Sequence, residues 1–268
     1  MVTNMNKEEQ LLRRRLYDLA NNAYYKGICV FSDFLNINEQ SILEYMKNEL
    51  PVIPYFSYGG FPEAERNMIC FCGDDNINKL DDIDFPISVI SIKPQNRKYS
   101  DALTHRDYLG AILNLGIDRS IVGDIIINDL EAFIFSTIGI SEFIADNLIK
   151  IKHTNISTSI INNQEFHYEP KFKEIGGTVS SIRLDSILSV AFNRSRSSLT
   201  ALIEGGKVFV NGKEALSNSY ELKDSDIVSV RGYGKFVYVG TPYKTKKGRY
   251  SVKVRLYTWF LIYKLIIR

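Results

Sequence analysis

Apolar positions along the chain follow two periods, and the switches between them mark out the elements. Leu12, Leu16, Leu19 and Ala23 recur at three- and four-residue steps and predict a helix over Lys7 to Tyr25. Ile42, Leu43 and Met46 share the inner face of a second helix over Asn38 to Glu49, with Asn36 or Asn38 as N-cap and Pro51 and Pro54 as the stop. Two strands follow, Val52–Tyr58 and Arg66–Cys72, around a segment rich in turn formers that begins Gly59-Gly60. The acidic, polar stretch Gly73 to Asp84 reads as a domain boundary.

Beyond it the periods alternate. Pro86–Lys93 predicts a strand and Thr104–Leu115 a helix capped by Thr104 and closed by Gly116. Ile125–Ile127 and Glu131–Ser136 predict a hairpin around Asn128-Asp129, Ser141–Lys150 a helix, and Ile151–Ile156 and Tyr168–Ile175 further strands. The order β-α-β-β-α-β fits the ferredoxin-like class. Further on, Leu184, Ile187, Leu188 and Ala191 form one helical stripe, and Leu199, Leu202 and Ile203 form another after the polar break at Asn193 to Arg196. Lys207–Val210 runs as a strand into Asn211-Gly212, a strong hairpin signal, and Asp226–Gly232 and Lys235–Val239 predict two more strands. The class is α+β, in three parts: residues 1–78, a small helical and stranded domain; 79–180; and 181–268, a helix pair on a small twisted sheet followed by a strand and an apolar tail.

Charge sharpens this picture. The chain of 268 residues has a formal net charge of only +2, but from Ser180 onward 16 Lys and Arg face 6 Asp and Glu. A basic module on an acidic body suggests a polyanionic partner. Cys29, Cys70 and Cys72 are the only cysteines, and none has C-x-x-C spacing. Reduced, buried thiols are expected, with no metal and no cofactor. Met1 to Leu16 lacks the apolar core of a signal peptide, and the tail Trp259–Arg268 is half the length of a membrane span. A cytoplasmic protein is therefore expected.

The candidate chemistry sits in the basic part. Arg194 and Arg196 flank a helix start whose free N–H groups and positive dipole end favour phosphate. Asn193, Ser195, Ser197 and Ser198 add neutral donors, and Lys207, Asn211, Lys213 and Lys235 lie on or beside the hairpin. With Arg183, these are the expected RNA-contacting residues, and the helix start and hairpin are expected to form one concave face. Tyr233, between two glycines, is either a base-stacking aromatic or a packed turn residue.

The ordered run Arg183-Leu184-Asp185, Ser195-Arg196, Leu202-Ile203, Gly206, Val208, Val210-Asn211-Gly212-Lys213 resembles the S4 domain. Tyr58-Gly59-Gly60 with Glu63-Ala64-Glu65-Arg66, then Leu103-Thr104-His105-Arg106-Asp107-Tyr108-Leu109-Gly110-Ala111, then Gly123-Asp124-Ile125 resemble the YlmH family. The resemblance runs from about Leu12 to Val254. It implies an RRM-like middle domain and a C-terminal S4 domain that reads structured RNA by shape and backbone. It further implies docking on the large ribosomal subunit, with rRNA and peptidyl-tRNA as partners, in quality control of stalled chains. DNA and membrane are not expected partners. The apolar tail after Tyr257 departs from the family pattern.

The alternative is an RNA-modifying enzyme, a pseudouridine synthase or methyltransferase, with the S4 domain as a docking arm. Arg183-Leu184-Asp185 matches the letters of a synthase motif but opens a helix, where an aspartate suits the dipole. Gly59-Gly60 lacks the G-x-G-x-x-G spacing of a nucleotide loop. Thr104 to Asp107 holds a His and an Asp without a nucleophile, and reads as a helix cap. No catalytic residue is expected.

Overall fold

A computed structural model describes residues 7–62, 64–74, 77, 79–161, 166 and 172–257. The chain divides into two compact units, Met1–Tyr168 and Glu169–Arg268. The apolar tail Trp259–Arg268 lies outside the described residues.

The first unit opens with helix α1 (Lys7–Lys26), strand β1 (Cys29–Phe31), helix α2 (Ile37–Met46) and strands β2 (Tyr55–Tyr58) and β3 (Met68–Cys72), the strands ordered β1-β3-β2. Asn36 caps α2: its side chain accepts from Glu39 N–H, and the Glu39 carboxylate accepts from Asn36 N–H, a capping box. β1 was not expected from the sequence, since three residues between two helices are too short to show a period.

Strand β3 is central, and all five of its residues are buried. Side chains alternate across a strand, so Ile69 and Phe71 meet Leu16, Ala20, Ala23, Leu43 and Met46 from the two helices. Met68, Cys70 and Cys72 enter the opposite cluster with Phe34, Phe61, Phe85, Ile87, Val89 and Phe135. Several of those residues belong to the next sheet. The parts that the polar stretch Gly73–Asp84 separates in sequence therefore share a core.

That next sheet comprises β4 (Ile87–Pro94), β5 (Val122–Asn128), β6 (Glu131–Thr137), β7 (Lys150–Ile151) and β8 (Thr154–Ile161), with helices α3 (His105–Leu113) and α4 (Ile138–Asn147). Its order, β5-β6-β4-β8-β7, is antiparallel throughout. Without the short β7 this is the ferredoxin-like arrangement expected from the β-α-β-β-α-β order. Ile90, Ile92, Tyr108, Ile112, Ile134 and Ile144 build its second core under the helices.

Residues 59–62, 64–66 and 123–124 join the two sheets. A Cβ on Gly59 would lie 2.3 Å from the Arg66 carbonyl oxygen, and one on Gly60, at φ +99°, 2.3 Å from the Phe135 ring. Only glycines permit this approach. The Asp124 carboxylate accepts from the N–H groups of Glu65 (2.6 Å) and Arg66 (3.4 Å). The Arg66 guanidinium donates to the carbonyls of Val122, Phe34 and Arg119, and that of Arg119 donates to the carbonyls of Val122 and Gly123. Burial raises the Asp124 pKa, while the amides and the two guanidiniums pull it back. The Gly59-Gly60 segment is thus a tight turn whose arginine is spent inside the protein.

At α3, Asp107 accepts from the N–H and the hydroxyl of Thr104, each at 2.7 Å, and pairs with Lys152 at 2.8 Å. The cap expected at Thr104 is formed. Beside it, burial and then the charge of Arg119 lower the His105 pKa to about 4.

The second unit holds strand β9 (Phe172–Val179), helices α5 (Leu184–Phe192) and α6 (Arg196–Glu204), and strands β10 (Val208–Val210), β11 (Lys213–Glu214), β12 (Ile227–Val230), β13 (Gly234–Lys244) and β14 (Tyr250–Tyr257). The sheet order is β11-β10-β12-β13-β14-β9. The strand expected over Tyr168–Ile175 as part of the middle sheet is β9, and it pairs with β14 along its whole length. Sequence periodicity marks a strand but not its partner. Leu184, Ile187, Leu188, Ala191, Leu199 and Ile203 pack on Val208, Val228, Phe236, Tyr238, Val252 and Val254. Fully burying each large aliphatic contributes about 1.5–3 kcal/mol.

Two expectations follow for the first unit. Asp124→Ala strands two backbone N–H groups and removes a charge facing two guanidiniums, so it costs about 2–4 kcal/mol. The measurement is a urea transition followed by circular dichroism; a loss under about 0.5 kcal/mol would show that the loop needs no such acceptor. His105 stays neutral in the fold down to about pH 4 but takes a proton near 6.5 when unfolded. The unfolded state then binds more protons, so stability falls as pH drops through that window, by on the order of 1–3 kcal/mol. His105→Gln should make the drop between about pH 7 and pH 5 smaller; equal drops in both proteins would clear His105.

Candidate nucleic-acid interface

The turn between α5 and α6 is built by short polar side chains. Asn193 closes α5 in the left-handed conformation, φ +49°, which asparagine tolerates best after glycine. The Ser189 hydroxyl donates to the Arg194 carbonyl at 2.7 Å, holding the turn from below. Ser195 is the N-cap of α6: its oxygen accepts from Ser198 N–H at 3.4 Å and sits within 3.2 Å of the Ser197 hydroxyl. The serines therefore order the helix start and keep spare lone pairs at the surface. Arg194 and Arg196 are exposed on either side. Among the described residues neither is in an ion pair.

The Asn211-Gly212 turn has positive φ at both positions, +49° and +77°, the pattern of a type I′ hairpin. Asn211 is committed to this turn. Its amide donates to Asp226 at 2.8 Å and its oxygen accepts from Ile227 N–H at 2.9 Å. Lys207 and Lys213 are exposed at the two ends of the hairpin. Lys207 follows the C-terminal end of α6, whereas Arg194 and Arg196 stand at its start. The nine residues of the helix put roughly 13 Å between them along the axis. The cations expected to form one concave face are thus spread along α6.

Two other expected residues hold different places. Lys235 is 6% exposed, and its ammonium lies 5.1 Å from the centre of the Tyr257 ring. It alternates with Phe236 on β13, so it points away from the core and is covered by Tyr257; it is not a free surface cation. Arg183 is exposed, but its Nε is 3.3 Å from Asp185, and both lie at the start of α5. Asp185 is buried there and also accepts from the Ser186 hydroxyl at 3.3 Å. Tyr233 packs edge-to-face on Phe192, ring centres 5.8 Å apart, as a turn aromatic.

Sequence reading missed the other basic element. The connection from β13 to β14 carries Lys244, Lys246, Lys247 and Arg249, all exposed. Its turn is closed by Thr245 N–H to Arg249 carbonyl (2.7 Å) and Gly248 N–H to Thr245 carbonyl (2.9 Å). Lys244 stands 4.6 Å from the Tyr250 ring centre, Arg249 donates to the Thr178 carbonyl at 2.7 Å, and Tyr243 is exposed. Four cations in six residues were visible in the sequence but fell beyond the resemblance to the S4 run. Arg231, exposed over the Phe209 ring at 5.3 Å, was also missed.

Comparison with known proteins matches this architecture. Residues 81–165 match the family described as "Putative RNA-binding domain in YlmH", and residues 182–228 match the S4 domain. The chain is similar to the ribosome-associated protein quality control protein P2 of Bacillus subtilis (strain 168). The two are 28% identical over 222 residues, covering 82% of this chain and 84% of that protein. Among solved structures it is similar to the cell division protein ylmH from Streptococcus pneumoniae, with TM-score 0.48 and 21% identity. That match covers 62% of this chain and 98% of the other. The chain thus matches a YlmH-type RNA-binding domain over residues 81–165, ahead of an S4 domain over residues 182–228.

Proposed function

We propose that this protein is a non-enzymatic RNA-binding factor that docks on the large ribosomal subunit, on rRNA and on peptidyl-tRNA, during quality control of stalled chains. The observation that carries the reading is the set of exposed cations at the start of α6. They flank a serine-ordered helix terminus inside an S4 domain and have no ion pair among the described residues. An exposed cation without an internal partner adds nothing to the fold but gains counterion release on a polyanion. The RNA-contacting set is Arg194 and Arg196 with Asn193, Ser195 and Ser197 at the helix start, then Lys207 and Lys213. Arg183 is a peripheral contact, and Asn211 acts by shaping the hairpin. Arg231 and the cations of the β13–β14 turn extend the set. The similarity to a protein named for ribosome-associated quality control gives the setting.

Positioning, rather than bond chemistry, is the mechanism this supports. Asp107 is occupied by a helix cap and Lys152, Asp124 by two backbone amides, and Asp185 by Arg183 and Ser186. The groove of about 510 Å³ beside α3 is lined by Arg106, Asp107, Lys150 and Lys152 but offers no hydroxyl or thiol nucleophile. Among the described residues no helix is long and apolar enough to cross a membrane.

Co-sedimentation with isolated large subunits over a salt series tests the reading. Affinity should fall with salt at a log–log slope of about −0.7 to −0.9 per phosphate neutralised. The double variant Arg194→Ala/Arg196→Ala should bind about tenfold or more weakly at moderate salt, with a slope shallower by about 2. Lys246→Ala/Lys247→Ala should shift it the same way, and Lys235→Ala should leave the slope alone. An unchanged slope in the arginine double variant would remove the start of α6 from the interface.

A further inference from the structure

The fold brings together all three cysteines of the chain. Cys70 and Cys72 are two residues apart on β3 and so share one face of it. Cys29 on β1 pairs directly with Cys72. The neighbouring Gly73 N–H donates to the Ile28 carbonyl at 3.0 Å, which makes Cys29 and Cys72 a non-hydrogen-bonded pair, the kind that holds its side chains closest. The Cys29 and Cys72 sulfurs are 2.8 Å apart, those of Cys70 and Cys72 3.5 Å, and all three lie within 4.8 Å of one another. Phe31, Phe56, Tyr58 and Phe85 belong to the same cluster. Cys70 and Cys72 are buried, and Cys29 is half-buried on the open side.

We propose that Cys29, Cys70 and Cys72 form a three-thiolate site for a thiophilic d10 cation, Zn2+ above others, with solvent or an external ligand at the fourth position beside Cys29. At a metal–sulfur distance of about 2.3 Å, tetrahedral ligands sit about 3.8 Å apart. The sulfur triangle brackets that spacing, and a small side-chain rotation of Cys29 opens its one short edge. Three converging thiols serve a metal, whereas a cross-strand disulfide would use two and leave Cys70 idle. Charge selects among thiophilic ions. Three thiolates leave a net −1 with Zn2+ and −2 with Cu+, and an apolar surround favours the smaller charge. The site staples β1 to β3, linking residues far apart in sequence.

The test uses the full chain, reduced with a non-thiol reductant, titrated with Cd2+ and then competed with Zn2+. A sulfur-to-cadmium charge-transfer band should rise and saturate at one equivalent, and Zn2+ should abolish it. Cys29→Ser, which alters the half-buried ligand and leaves the buried strand intact, should weaken Cd2+ binding at least tenfold while keeping the far-ultraviolet spectrum. A chelator should lower the melting temperature of the zinc-loaded wild type and not that of the variant. The proposal fails if the reduced wild type shows no band, or if Cys29→Ser binds as tightly as wild type. It also fails if the protein purified without reductant is 2 Da light, with Cys29 and Cys72 joined, and gains no metal affinity on reduction.

Discussion

The first unit depends on one constraint: β3 has no face to spare. A strand flanked by helices on one side and by a second sheet on the other must be apolar at every position, and Met68 to Cys72 meets that demand. Burial on both faces fuses two sequence-distinct parts into one cooperative body. It also explains why thiols fit there. Cysteine is small, tolerates deep burial, and with Met68 adds polarizable sulfur to a layer of hydrocarbon and aromatic side chains. The Asp124 carboxylate completes the junction by supplying acceptors to a loop that has turned its amides inward.

The second unit makes the opposite use of its helices. α5 is buried over most of its length, while α6 buries little more than Leu199 and Ile203 and leaves its start in solvent. Like charges set close together on a surface repel, so a protein selected only for stability would pair or disperse them. Among the described residues, Arg194 and Arg196 are in no ion pair. Lys235 shows the contrast: a cation of the same unit that points away from the core but that the fold covers with an aromatic ring.

Much of this was legible in the sequence, for physical reasons that differ by element. The helix stripes from Leu12 to Ala23 and from Leu184 to Ala191 were plain, because a 3.6-residue period repeated over several turns has few rivals. Asn211-Gly212 was equally plain, since few pairs accept two positive φ angles. The cap at Thr104 and the basic start of α6 followed from local chemistry alone. Pairing was not legible. Nothing in residues 172–179 announces that their partner is β14, and nothing in Cys29 announces Cys72. The burial of Lys235 escaped because alternation gives a side chain's direction, not what covers it. The basic turn after β13 lies outside the S4 run, and its cations sit in an ordinary polar turn with no period or cap to mark them.

The pairing of β9 with β14 has a kinetic consequence. The strand that enters the second unit finds its neighbour only about 70 residues later, with both helices and four strands threaded between. As the chain emerges from a ribosome, α5, α6 and the early hairpin can gather first, but β9 keeps a bare edge until Tyr257 has cleared the exit tunnel. For that interval the nascent unit has its cations in place and its sheet unclosed. The chain would thus expose the basic start of α6 to the particle making it before its own sheet is complete.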